Sequence, residues 1–258
     1  MMSATTTPEP ATRDGFRATL SRMSAAQKPG RGAPPYSRWI NRRMGRVIAA
    51  AGYTIGATPN GVTAVSAALT TAGILLIALV EPVWWLGFAV AGFLVLGYAF
   101  DAADGQLARL RGGGSRAGEW LDHMVDVTKT CVLHAVVLIS FFRFGGIPSD
   151  AFLLIPLGYL TVSIVLFFGI MLVDQLRRSA ATPAAAPKDG GSGLLQTLVA
   201  LPADYGILCL AFLLFGWRPL FLVAYTVLFA AHTLVLLGAL AKWWRQLKAI
   251  DAEVRARG

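Results

Sequence analysis

Residues 101–126 carry the densest set of groups able to do chemistry: Asp101, Asp104, Asp122 and Asp126, with Gly105, Ala108, Arg109 and Gly118 among them. Asp101 and Asp104 are three residues apart, and Asp122 and Asp126 are four apart. On helices each pair shares a face. Gly112-Gly113-Gly114 lies between them and suits a tight turn joining antiparallel helices. Both acidic pairs then meet at one depth. Four facing carboxylates repel one another, and the nearby cations are few: Arg109, Arg116 and Lys129. Bound divalent cations answer the repulsion better. Oxygen donors without sulfur or several imidazoles favour Mg²⁺ or Mn²⁺ over zinc. Asp101, Asp104, Asp122 and Asp126 suit a pair of ions roughly 3.5–4 Å apart, which clamps the attacking and leaving oxygens of a phosphoryl-type displacement.

The elements that must hold these acids are apolar. Of 258 residues 55% are hydrophobic and 14% charged, and mean hydropathy is +0.59. A soluble domain carries about 25% charged residues, so an ordinary cytosolic enzyme is excluded, and so is a disordered chain. The expected fold is an all-α integral membrane protein with six transmembrane helices near 60–80, 83–108, 119–142, 152–174, 195–215 and 219–241. Each block has the roughly 20 residues a bilayer requires. A lone ionised Asp deep in a span costs roughly 2.5–3.5 kcal/mol, so two acidic pairs in adjoining spans demand a function.

Four regions follow. Residues 1–35 read as a disordered cytoplasmic tail. Residues 36–57 read as an amphipathic interfacial helix, with Trp39, Ile40, Met44, Val47 and Ile48 on one side and Arg38, Arg42, Arg43 and Arg46 largely on the other. Residues 58–242 are the six-helix domain, and 243–258 a basic cytoplasmic tail. About 20 of the 23 Lys and Arg fall in the N-terminal region, the 109–116 and 177–188 loops and the C-terminal tail. By the positive-inside rule both termini and the acidic cluster are cytoplasmic. Cys131 and Cys209 form no metal or disulfide pattern and read as core residues.

The pattern Asp101-x2-Asp104-Gly105-x2-Ala108-Arg109-x8-Gly118-x3-Asp122-x3-Asp126 resembles in full the signature of the CDP-alcohol phosphotransferase (CDP-alcohol phosphatidyltransferase) family. It fixes eight positions over 26 residues. Thr58-Pro59-Asn60 opening the first span, the basic juxtamembrane segment and the six spans are similar too, so the likeness covers about residues 36–242. It implies transfer of a substituted phosphate from a CDP-linked lipid or head-group donor to an alcohol acceptor, with release of CMP, in phospholipid biosynthesis. It also implies a homodimer among membrane lipids, in a bacterial plasma membrane, with no nucleic-acid partner. Asp101, Asp104 and Asp122 would be metal ligands and Asp126 a ligand or general base. Gly105, Ala108, Arg109 and Gly118 would form the CDP site.

Glu119 and His123, four apart, make a second polar row beside the aspartates. They look like the choline/ethanolamine phosphotransferase branch, where such a pair is linked to activating the acceptor. The catalytic set is therefore Asp126, His123 and Glu119, with either Asp126 or His123 the base; His123 equally suits a plain hydrogen-bonding role. Arg116, Arg177, Arg178 and Lys188 either hold an acceptor phosphate or simply supply the positive-inside charge. Asp204 needs a partner. His134 and His232 read as core residues, and Trp84, Trp85, Trp243 and Trp244 as interfacial anchors. A cation transporter is the competing reading from another class, but it would spread acids over several spans near mid-bilayer. A prenyltransferase would need more spans and well-separated motifs.

Overall fold

The computed structural model describes residues 15–25, 34–180 and 204–257, and every regular element among them is helical. A helix α1, Phe16–Ala25, is followed by a π-helical turn, Ser37–Asn41, that runs into α2, Arg42–Thr54. Then come α3, Pro59–Leu79; α4, Leu86–Leu110; α5, Arg116–Phe144; and α6, Leu154–Ser179. A short α7, Tyr205–Ala211, continues through a 3-10 turn, Phe212–Leu214, and α8 spans Arg218–Arg257. Five helices are long and apolar enough to cross a membrane: α3, α4, α5, α6 and α8. The expected fifth span, 195–215, begins outside the described residues. Its described part is the shorter apolar stretch Tyr205–Leu214.

Local chemistry sets the boundaries. The Thr58 hydroxyl accepts the N–H of Gly61 at 3.1 Å and Pro59 occupies the first turn, so α3 begins there. Ser115 caps α5 by accepting from Gly118 N–H at 3.0 Å. Between α4 and α5, Gly112 and Gly113 take φ of 95° and 122°, a region that favours residues without a Cβ. The glycine turn reverses the chain, but α4 and α5 do not pack on each other along their length as the sequence suggested: both pack on α3, and their acidic ends meet through side chains.

Close approach fixes depth. The Ser66 hydroxyl on α3 donates to the carbonyl of Gly97 on α4 at 2.8 Å. A Cβ at Gly97 would stand 3.2 Å from the backbone nitrogen of Thr70, so the small residue allows this contact. The main core joins α3, α4, α5, α6, α7 and α8 through buried Ile77, Leu94, Leu133, Tyr159, Leu208 and Tyr225. The two buried histidines within it are paired. His134 Nδ1 bonds Tyr225 at 2.6 Å and its Nε2 bonds Ser163 at 3.1 Å, while His232 Nδ1 bonds Tyr159 at 3.0 Å. Both histidines are therefore core residues. Cys209 is buried and Cys131 half-buried.

One expectation needs correction. Part of the 1–35 stretch is helical, because α1 seats Thr19 and Met23, 4% exposed, against a small second core with Ala49, Ala50 and Leu107. That stripe is one turn long and hidden among Ala, Pro and Arg, too short to register as a period. Most of the stretch expected as a basic tail over 243–258 continues the last helix, since α8 runs unbroken for 40 residues from Arg218. It lacks an internal Gly or Pro past Gly238 until its end, and Ala, Lys, Arg, Gln and Leu sustain a helix. The segment expected over 36–57 becomes the π-helical turn plus α2, with Trp39, Ile40 and Val47 exposed and Gly45, Ala49 and Ala50 buried.

Candidate active site

The last turns of α4 and the first turns of α5 carry the acids. Asp104 is 5% exposed, and its Oδ2 accepts the hydroxyl of Thr63 on α3 at 2.6 Å. Asp101 faces α5, where its Oδ1 accepts from the Lys129 ammonium. Lys129 Nζ also stands 2.6 Å from Asp126 Oδ1, one turn earlier on the same helix. Asp101 and Asp126 therefore meet across one shared cation. Asp122, His123 and Asp126 present ligand atoms all within 4.8 Å of one another.

A cavity of about 370 Å³ opens beside this cluster. Its wall takes Asp101, Asp104, Gly105 and Arg109 from α4, Asp122 from α5, and Ser37, Asn41 and Arg42 from the segment preceding and starting α2. Carboxylates and guanidinium groups thus face one volume, a combination suited to a polyanion bound together with a cation. At Gly105 a Cβ would meet only the Arg109 guanidinium at 3.5 Å, so the missing side chain leaves the cavity open. Gln106 Nε2 donates to the Arg42 carbonyl at 3.1 Å and ties α2 to α4.

The remaining sequence-singled residues divide. Ala108 and Gly118 are not part of the cavity wall. Gly118 sits tightly against α3, where a Cβ would lie 3.2 Å from Asn60 Oδ1. His123 and Glu119 are on the α6 side of α5: the His123 ring centroid is 6.4 Å from that of Phe167, and Glu119 Oε1 is 3.9 Å from Arg178 Nη1. Arg178 also pairs with Asp174, and Arg177 bonds Gln246. Asp204, 1% exposed, caps α7 by accepting Gly206 N–H at 3.1 Å and reaches the N–H of Ser37 at 2.9 Å.

Several contributors escaped sequence reasoning. Thr63, Ser37 and Asn41 lie far along the chain from the motif, and nothing in their local spacing marks them; Tyr98, which also lines the cavity, stands one helical turn before Asp101, a spacing that could have found it. Lys129 had a signal, since it sits three residues past Asp126 on the same helical face.

The donor set fits a hard divalent cation. Asp101, Asp104, Asp122 and Asp126 offer only oxygen, His123 adds one nitrogen, and no sulfur lies among them.

The chain is an all-helical membrane protein with acids gathered at the facing ends of two consecutive helices, and its sequence places it in a known class. The profile of the CDP-alcohol phosphatidyltransferase family matches residues 56–244, and the chain belongs to that family. It is 32% identical over 113 residues to the CDP-diacylglycerol–serine O-phosphatidyltransferase of Saccharomyces cerevisiae, covering 43% of this chain and 35% of that protein. It is 37% identical over 84 residues to the phosphatidylinositol phosphate synthase of Mycolicibacterium smegmatis, covering 33% of this chain and 36% of that one. These matches span about a third of the curated relatives' length. In fold it is similar to the crystal structure of Mycobacterium tuberculosis phosphatidylinositol phosphate synthase with CDP-DAG bound. There the TM-score is 0.51 at 24% identity, covering 80% of this chain and 94% of that one. The chain is an integral membrane protein of a family of transferases that serve phospholipid synthesis.

Proposed function

We propose that this protein transfers a phosphatidyl group from CDP-diacylglycerol to the hydroxyl of a polar alcohol and releases CMP. The observation that carries this reading is the gathering of Asp101, Asp104, Asp122 and Asp126 at the facing ends of two consecutive helices, beside a cavity that also holds Arg42 and Arg109. The acceptor oxygen bonds the phosphatidyl phosphorus, the diphosphate P–O bond breaks, and CMP departs with that oxygen. The acceptor proton passes to Asp126 or His123, whichever lies within hydrogen-bond reach of the hydroxyl. Arg109 and Arg42 hold the diphosphate, Gly105 gives it room, and Ala108 and Gly118 set the adjoining helix ends. Asp101, Asp104, Asp122 and Asp126 would hold Mg²⁺ or Mn²⁺, two ions per site. When bound, that metal neutralises the diphosphate and the leaving phosphate.

In this reading six spans place both termini and the site at the cytoplasmic face of a bacterial plasma membrane, supported by the distribution of Lys and Arg. The segment 36–54 rests on the membrane surface, and two chains associate as a homodimer. A second reading, transfer of a polar head group from its CDP derivative to a diacylglycerol-type acceptor, draws on Glu119 and His123, which share the α6 side of α5. A cation transporter is disfavoured, because the acids gather at one helix end.

The deciding experiment is CMP release by purified protein with Mg²⁺ and a panel of CDP donors and alcohols. Release with CDP-diacylglycerol and a polar alcohol is the expected result. Release only with a CDP-linked head group and diacylglycerol would favour the second reading. Silence across the panel would reject transfer altogether.

A further inference from the structure

Lys129 has no part in the reaction as proposed, yet it sits inside the acidic cluster. It is 8% exposed, in a helix long and apolar enough to span a membrane. A lysine there is costly unless paired. It takes one partner from each acidic pair: its ammonium bonds Asp101 Oδ1 on α4 and stands 2.6 Å from Asp126 Oδ1 on α5. Asp104 is held by Thr63, and Asp122 lies with His123. One positive charge thus occupies two of the four carboxylates expected to receive a divalent cation.

We propose that Lys129 is a built-in counter-ion. It keeps Asp101 and Asp126 together while the cluster is metal-free, and it yields their oxygens when a divalent cation binds. This rests on the reading above that the cluster takes such a cation. Two effects follow with opposite sign. Without the ammonium, Asp101 on α4 and Asp126 on α5 repel with nothing between them, so the metal-free protein loses stability. The same two carboxylates are then uncontested, so a divalent cation binds more tightly. A lysine that merely braced the helices would lower stability with or without metal and would not tighten binding.

The test uses the full chain in detergent, as wild type, Lys129→Gln and Lys129→Arg. Mn²⁺ binding is followed by electron paramagnetic resonance, and thermal unfolding is measured in chelator and in saturating Mg²⁺. Lys129→Gln should bind Mn²⁺ about tenfold more tightly. Its unfolding temperature should fall by several degrees in chelator and return to the wild-type value in Mg²⁺. Lys129→Arg, which keeps the charge, should stay near wild type in chelator. Unchanged or weaker Mn²⁺ binding by Lys129→Gln would overturn the proposal. Equal loss of stability with and without Mg²⁺ would do the same, as would failure to assemble even in Mg²⁺. Wild-type protein that binds no Mn²⁺ would sink the metal reading itself and the exchange with it, a result distinct from those three.

Discussion

Thr63 Oγ1 lies 2.6 Å from Asp104 Oδ2, a bond that links the first long helix to the acidic end of the second. It joins residues 41 positions apart and is fully buried. The hydroxyl fixes the orientation of a carboxylate expected to be a metal ligand, much as outer partners orient ligands at other metal sites. Thr63→Val keeps the shape and removes the bond. CMP release should fall by roughly tenfold or more, since a hydrogen bond to a charged group contributes about 1.5–3 kcal/mol. Elution as an assembled protein should be unchanged. Full activity would mean that Asp104 needs no orienting partner.

Asp104→Asn and Asp122→Asn test the acids on the two helices separately. Each removes one negative oxygen at nearly constant volume. Turnover should be lost in both, while size-exclusion elution and helical content stay at the wild-type values. Retained CMP release in either variant would show that the residue is not required by the reaction.

The proton acceptor is decided by a pair of variants. His123 and Asp126 offer ligand atoms within 4.8 Å of each other and of Asp122, so distance does not separate them. His123→Ala with near-wild-type kcat assigns the base to Asp126. A drop of about a hundredfold or more, in the range by which general bases contribute, assigns it to His123. Steady-state CMP release at saturating donor is the measurement.

Gly105 is predicted to govern donor binding without governing stability. A side chain added there meets only the flexible end of Arg109 and otherwise enters the cavity. Gly105→Leu should raise the KM for the CDP donor at least tenfold, or abolish turnover, with the unfolding temperature near wild type. Gly97→Leu is the contrast, because its Cβ would press on the backbone of Thr70. It should destabilise the protein strongly, as overpacking does.

Asp204 should behave as a structural clamp. Its two oxygens serve different strands of the chain, one capping α7 and the other holding the Ser37 N–H 167 positions away. Asp204→Ala removes both bonds and leaves Ser37 N–H without its acceptor. The expected cost is about 1–3 kcal/mol, read as a lower unfolding temperature. Ser37 lines the cavity, so donor binding should weaken as well.

Much of the site was legible because its determinants are local. The spacing of Asp101 with Asp104 and of Asp122 with Asp126 depends only on helical geometry. The Gly112-Gly113 turn and the Ser115 cap reverse the chain and start α5 close after α4 ends, while α3, packed on both, sets their separation. The long apolar blocks were legible for the same reason. What escaped the sequence was set by packing between distant segments. Thr63 is one of many threonines until α3 is laid against α4. Asp204 was recognisable as needing a partner, but that partner is a backbone N–H before α2. The α1 helix has one buried turn, and its order depends on the second core that Met23 completes. Lys129 stood in view as a cation within a span, yet its double engagement appears only when Asp101 is brought across from the other helix.

The unbroken α8 has a consequence for what the protein presents to water. At about 1.5 Å per residue its 40 residues measure about 60 Å, against a hydrocarbon slab of about 30 Å. Even tilted, such a rod overshoots the lipid by several turns. Trp244, Lys248 and Arg255 ride on that projecting length, a rigid mast rising from the bilayer beside the end of α6.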